Sequence, residues 1–356
     1  MASKNIKKAE PQIVQWLLDT RNLWPVPHRA RSRDEVQELK SVASRALALL
    51  SSSEQEAVLR YYQVKDAKMS LASHLLKHLV ITKYCNVPWS KSKISRQPTH
   101  GKPCYIPEGD DHMHIDFNVS HQAGIVSLIA AIGFESHVDV GTDVVCANER
   151  LVHDYSNIDK EGFFAWVDIH SDVFADSEVN DMKLSPVSAR SVGIMDGEIE
   201  GYAKDMLSRC QWRNRKLDIK VTKGGGTPEE FVELPSSVVI EVKLRRFYAM
   251  WCLRETYVKM TGEALLASWL KDLEISNVQT PAAKDSADPF SLEVGDVAQD
   301  FEMFFRGKLV KDVNMVLSAL GPAYMVGGCV RPSAVMGKWL ELNLETDVLD
   351  IAEANP

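Results

Sequence analysis

The sequence lacks any sign of paired cysteine chemistry. Its six cysteines, Cys85, Cys104, Cys146, Cys210, Cys252 and Cys329, are scattered, with no CxxC pair and no His/Cys cluster at zinc spacing. They are expected to be mostly buried free thiols in a reducing compartment. No apolar run reaches about 18 residues, so no membrane span is expected. The first residues carry no apolar run before a small-residue cleavage site, so no secretory signal is expected either. Positive charge is not in excess: 41 Lys and Arg stand against 49 Asp and Glu, a formal net charge of −8. That excludes a general affinity for nucleic acid and leaves any basic site local, suited to a small anionic ligand. No short repeat is visible. A soluble cytoplasmic protein of one large or two ordinary domains is the expectation. At 356 residues and 45% hydrophobic composition it can build a core without staples.

Against that background, residues 247–262, FYAMWCLRETYVKMTG, stand out. They read as one helix carrying charge where a buried helix should not. Trp251, Glu255 and Lys259 recur at i, i+4 and i+8 and form one stripe. Arg254 lies beside it, and Phe247, Met250 and Val258 serve the apolar side. Gly262 is placed to end the helix. Spacing alone leaves two readings open: a metal ligand beside a base, or a surface ion pair of small energy.

Elsewhere the pattern predicts a short amphipathic helix over 11–24, stopped by Pro25 and Pro27, and another over 35–49. Ser53 and Glu56 fit a capping box for a long helix over 54–80. Residues 86–107 read as a basic loop with Lys91, Lys93, Arg96 and Lys102, in which Gly101-Lys102-Pro103 could bring backbone and ammonium to a phosphate. A polar knot, Asn118-Val119-Ser120-His121, precedes a buried strand at 125–132. VDVGTDVV reads as a second strand, and the two are expected to pair as a hairpin. Asp143 is an acid amid Val140, Val144 and Val145; it either caps a turn or serves a site. Two helices are expected over 151–183. Residues 185–236 read as an insertion with GGG at 224–226 and a strand near 217–221, and a further strand is expected at 237–244. A helix or turn over 267–273 and a loop over 279–291 follow. Strands are expected at 301–309, 313–320 and 323–330, the last broken by Gly327 and Gly328, with an acidic periphery from 338 on.

Five stretches now stand in order: Lys65-Asp66-Ala67-Lys68, Gly101-Lys102-Pro103, Phe117-Asn118-Val119-Ser120-His121, Val140-Gly141-Thr142-Asp143, and Trp251-Cys252-Leu253-Arg254-Glu255 with Lys259. Together they resemble the 4′-phosphopantetheinyl transferases of the larger single-chain type, named after the surfactin enzyme. The resemblance covers residues 60–266. Trp16-Leu17-Leu18-Asp19 and Gln122 are similar to the eukaryotic branch, especially the broad-specificity fungal enzymes.

The resemblance implies an α+β fold of two similar lobes about a pseudo-twofold axis, with the site at their interface. Here the lobes would be 1–138 and 139–356, the second carrying the 185–236 insertion. It implies transfer of the phosphopantetheine arm of coenzyme A to a serine of acyl or peptidyl carrier proteins, with magnesium required and adenosine 3′,5′-bisphosphate released. Carriers of polyketide, nonribosomal peptide and lysine biosynthesis are the implied partners, and the chain would be a monomer. Asp143 and Glu255 match the metal carboxylates, a chemistry that suits a hard cation. Glu255 or Lys259 would take the serine proton, and the choice is open. Lys68, Arg96, Gly101, Lys102, Asn118, Ser120, His121 and Arg254 fall at cofactor-contacting positions of the motifs.

The chain departs from the family in four places. Val145 stands where bacterial members often carry a second acid, and Arg254 replaces a lysine. Arg60 is the lone basic candidate just before the Lys65 helix, where the family carries more, and the gap from Asp143 to Glu255 is long. Two other classes compete: a non-catalytic module binding coenzyme A or carrier proteins, and a generic coenzyme A-dependent acyltransferase. The first would have lost Asp143, Glu255 or Lys259. The second explains neither the metal-type acids nor GKP.

Overall fold

In the computed structural model, which describes residues 10–29, 31–107, 114–222, 230–263, 267–286, 288 and 290–356, helices and sheets are mixed in an α+β arrangement. Two four-stranded sheets dominate. The first runs Leu340–Glu341, Gln12–Asp19, Ile125–Ile132, Ile115–Gln122; the second runs Val294–Ala298, Asn314–Leu320, Tyr324–Arg331, Asp139–Cys146. Each is built from a strand, a long helix and a hairpin in that chain order. Gln12–Asp19, Val64–Cys85 and the hairpin Ile115–Gln122/Ile125–Ile132 make the first. Asp139–Cys146, Ser236–Thr261 and the hairpin Asn314–Leu320/Tyr324–Arg331 make the second. In both, the leading strand pairs with the last strand of the hairpin.

Period-two alternation sorts the side chains into layers. Trp16, Leu18, Leu128 and Ala130 pack under the helix Val64–Cys85. Leu17, Ile125, Val144 and Val326 meet between the sheets, as do Ile13, Ile129, Val140 and Val330. Val145 turns the other way, toward Leu253 and its neighbours on the helix Ser236–Thr261.

Several expectations are corrected. Residues 12–19 form a strand, not a helix, because it is buried on both faces and so shows no alternation. Residues 237–244 are the first turns of the helix Ser236–Thr261 rather than a strand; Val239, Ile240 and Leu244 are all buried, and their burial overrides β-branched propensity. The helix expected over 54–80 is two, Ser52–Leu59 and Val64–Cys85, and its capping box uses Ser51 with Glu54. Strands Ile125–Ile132 and Asp139–Cys146 do not pair: each belongs to a different sheet. The true hairpin turns at Ala123 and Gly124, with φ of 49° and 89°, a two-residue turn of left-handed residues. Gly327 and Gly328 do not break their strand. The tail from 338 on is not peripheral, since Leu342, Leu344, Val348 and Leu349 are buried in the core beneath the first sheet. The glycine run at 224–226 lies outside the described residues.

Candidate active site

The edge strands Ile115–Gln122 and Asp139–Cys146 lie side by side without a backbone ladder between them. Alternate side chains of the first stitch the seam instead. Asp116 Oδ2 accepts from Val138 N at 2.9 Å, Asn118 Oδ1 from Thr142 N at 3.1 Å, and Gln122 Oε1 from Cys146 N at 3.4 Å. A fourth stitch is different in kind: Ser120 Oγ donates to Asp143 Oδ1 at 2.8 Å. It joins two side chains, and both are almost wholly buried.

The helix Ser236–Thr261 crosses the second sheet at this point because two glycines let it in. A Cβ on Gly141 would stand 2.3 Å from the Thr256 carbonyl oxygen, and one on Gly327 would stand 2.1 Å from Thr256 Oγ1. Gly141, Asp143 and Val145 share the face turned to the helix. The close approach brings Lys259 Nζ to 2.5 Å from Asp143 Oδ1 and 2.7 Å from Ser120 Oγ. Trp251, two turns earlier, is wedged against Phe247, Phe174 and His170 with ring centroids 5.8–6.1 Å apart, which fixes the rotation of the stripe.

Electrostatics set the protonation of the stripe. Burial works against the Lys259 ammonium, but the Asp143 and Glu255 carboxylates outweigh it, and its pKa is raised. Glu255 is also raised, first by burial and then by the Asp143 charge, with Lys259 opposing. Two carboxylates therefore share one ammonium, which leaves excess negative charge where a hard divalent cation would bind. His121 is held below its ordinary pKa, first by desolvation and then by the Lys259 charge.

Other predicted residues are placed elsewhere. Asn118 is a stitch of the seam. Gly101, at φ +66°, shapes the turn, and Arg96 NH1 braces it by donating to the Gly101 carbonyl at 2.8 Å. Lys102 closes the end of the long helix. Its Nζ donates to the carbonyls of Met260 at 2.9 Å and Val140 at 3.3 Å, and its stem lies on Gly262. Lys68 is two residues beyond Asp66, about 200° around the helix, so it does not share the face whose charges reach His121. Arg254 is a correction. It is 0% exposed, paired with Glu178 and bonded to the carbonyls of Leu270 at 2.8 Å and Leu273 at 2.9 Å. It packs the helix against its neighbours, and its described hydrogen bonds are all internal.

Lys77 was missed. It lies on the helix Val64–Cys85 near Arg96 and His121, and burial lowers its pKa to about 8, with Glu54 opposing and Arg96 adding. Three turns past Asp66 on the same face, it was legible only once the helix's orientation was known. Lys77, Arg96 and His121 together make a local basic surface beside the acidic stripe.

Two carboxylates, an ammonium and a flanking cluster of bases are the kind of arrangement that phosphoryl-transfer chemistry uses. A family model described as 4′-phosphopantetheinyl transferase, N-terminal, matches residues 37–133. A 4′-phosphopantetheinyl transferase of Aureobasidium melanogenum is 42% identical over 346 residues, covering 95% of this chain and 96% of the relative. One from Fusarium mangiferae is 37% identical over 348 residues, 97% and 95% of the two chains. An L-aminoadipate-semialdehyde dehydrogenase-phosphopantetheinyl transferase of Schizosaccharomyces pombe is 34% identical over 122 residues, 34% and 41% of the two. The chain belongs to the 4′-phosphopantetheinyl transferase family. It is thus a transferase that modifies carrier proteins, not a non-catalytic binding module.

Proposed function

We propose that the Ser120–Asp143–Glu255–Lys259 cluster transfers phosphopantetheine from coenzyme A to a carrier-protein serine. The observation that carries the assignment of roles is the opposite fate of the two helix groups. Lys259 is held charged by two carboxylates, so it serves as a cation for the phosphate under attack rather than as a base. Glu255, pushed upward by burial and by Asp143, is the better proton acceptor near neutral pH. The serine hydroxyl attacks the pyrophosphate phosphorus, its proton passes to Glu255, and adenosine 3′,5′-bisphosphate departs. Asp143 and Glu255 would hold magnesium, which supplies charge neutralisation for the pyrophosphate. The donor set fits: two carboxylate side chains on adjacent elements, with a deficit of positive charge between them.

Coenzyme A phosphates would meet His121, Arg96 and Lys77. The repeated strand–helix–hairpin order of the two sheets supports reading the fold as two similar lobes related by a pseudo-twofold axis. The printed name of the Schizosaccharomyces pombe relative supports a carrier of lysine biosynthesis as one substrate. The fungal resemblance extends the set to polyketide and nonribosomal peptide carriers. Six free thiols support a reducing, cytoplasmic setting, and one chain that carries both sheets has no need of a second copy; among the described residues no helix is long and apolar enough to cross a membrane.

The test is mass spectrometry of an apo carrier protein incubated with coenzyme A, magnesium and the protein. A carrier serine that gains the phosphopantetheine mass supports the reading. Failure across a panel of apo carriers sinks it.

A further inference from the structure

At the end of the seam away from Glu255, three side chains converge that the transfer reaction does not use. His114 Nε2 is 2.9 Å from Asp116 Oδ2, and His137 Nδ1 is 2.7 Å from Asp116 Oδ1. One donor atom from each of the three lies within 4.8 Å of the others. The structure assigns this cluster as a second, zinc-class metal site, with His114, Asp116 and His137 as ligands.

Three observations support the assignment. The two imidazoles are borderline nitrogen donors, and with one carboxylate beside them the set suits zinc and its neighbours better than magnesium. His137 has an outer partner of the kind metal-bound histidines keep: its Nε2 lies 3.1 Å from Asp139 Oδ1, and Asp139 is in turn held by Arg331 at 2.7 Å. Both ring nitrogens of His137 therefore face carboxylate oxygens. Two protons on one imidazole satisfy that arrangement; so does one proton on Nε2 and one metal ion on Nδ1. Finally, the spacing is of the right size: tetrahedral zinc separates its donor atoms by about 3.4 Å, and the three donors here lie within 4.8 Å of one another. The side chains of His114 and His137 are 48% and 51% exposed, which leaves them room to adjust and leaves a fourth position for water.

The site lies where the seam begins. Asp116 already stitches to Val138 N. A metal joining it to His137 would bind the connection leading into Asp139–Cys146 to the start of Ile115–Gln122, with Asp116 four residues ahead of Ser120 and His137 six residues ahead of Asp143. The role inferred is a staple that aligns the two strands carrying the catalytic stripe.

The experiment is calorimetric titration of the full-length, chelator-treated protein with zinc in excess magnesium, so that the hard-cation site is filled. One zinc per chain is expected. Affinity should fall at least about tenfold in His114→Ala, in His137→Ala and in Asp139→Asn, and stay unchanged in Glu255→Gln. Imidazole ¹⁵N resonances of His114 and His137 should shift on zinc addition, a readout independent of whether the variants fold. Zinc should also raise the unfolding midpoint of the natural chain but not of His114→Ala. No zinc uptake, or equal affinity in the histidine variants, overturns the site. Uptake without a rise in midpoint overturns the stapling role.

Discussion

Lys259 and Asp143 meet at 2.5 Å although one lies on a helix and the other inside a sheet. The contact exists because the glycines at 141 and 327 remove the side chains that would hold the helix off. Gly141→Ala is therefore expected to push the helix away and cost about 1–3 kcal/mol. Chemical denaturation should register the lost stability, and transfer to an apo carrier should fall with it because Lys259 and Asp143 no longer meet.

Glu255→Gln keeps the shape of the stripe and removes one charge. Turnover is expected to fall by at least about a hundredfold, with the unfolding midpoint preserved. Steady-state transfer rates alongside thermal unfolding check both halves. Near-normal turnover in saturating magnesium would remove Glu255 from the mechanism.

The pH profile follows from two raised groups. Glu255 works as a carboxylate, and its raised pKa means that form is lost as pH falls, earlier than for an ordinary glutamate. At sub-saturating magnesium, where protonation of the metal-free carboxylate competes with the metal, the acid limb of kcat/KM should accordingly sit above the usual carboxylate range. Lys259 is also raised, so its charge persists past the ordinary lysine range and adds no basic limb near neutrality. A descending limb that vanished in Lys259→Arg would contradict this.

Lys77 does contribute an alkaline dependence. Its ammonium is lowered to about 8 by burial, so its positive charge is lost as pH rises through that value. The affinity for coenzyme A should weaken over the same interval, and Lys77→Met should weaken it at neutral pH while flattening the pH dependence. Equilibrium binding at several pH values checks this.

Arg254 and Glu178 form a wholly buried pair. Arg254→Ala leaves the Glu178 carboxylate without its partner and is expected to cost about 3–5 kcal/mol. Denaturation midpoints measure that loss. The KM for coenzyme A of the folded fraction should not change, which separates a packing residue from a ligand-binding one.

Much of the site was legible because its motifs are local. Asp143, Glu255 and Lys259 stand out as charges in apolar stretches and Ser120 lies in a polar knot beside a buried strand; the structure brings all four together. What the sequence hid depends on distant partners. Arg254 looked like a ligand-binding cation because Glu178 is far away in the chain. Asn118 looked like a cofactor contact because Thr142, whose amide it holds, belongs to another sheet. Residues 12–19 gave no alternation, since both faces of that strand are covered. Lys102 was expected at a phosphate; its ammonium is committed to the Met260 and Val140 carbonyls. His114, Asp116 and His137 show no zinc-like spacing, since two strands from different sheets bring them together.

The tail that pairs Leu340 with Trp16 has a consequence for the order in which the molecule is made. Ribosomal synthesis delivers Gln12–Asp19 long before Leu340–Glu341. The first sheet is thus begun before the second and closed after it, when the second sheet and its long helix are already available. Until then one edge of Gln12–Asp19 stays open, with Trp16 lacking its final neighbour. A nascent chain stalled before residue 340 would hold the catalytic residues of both sheets and still carry an unfinished edge.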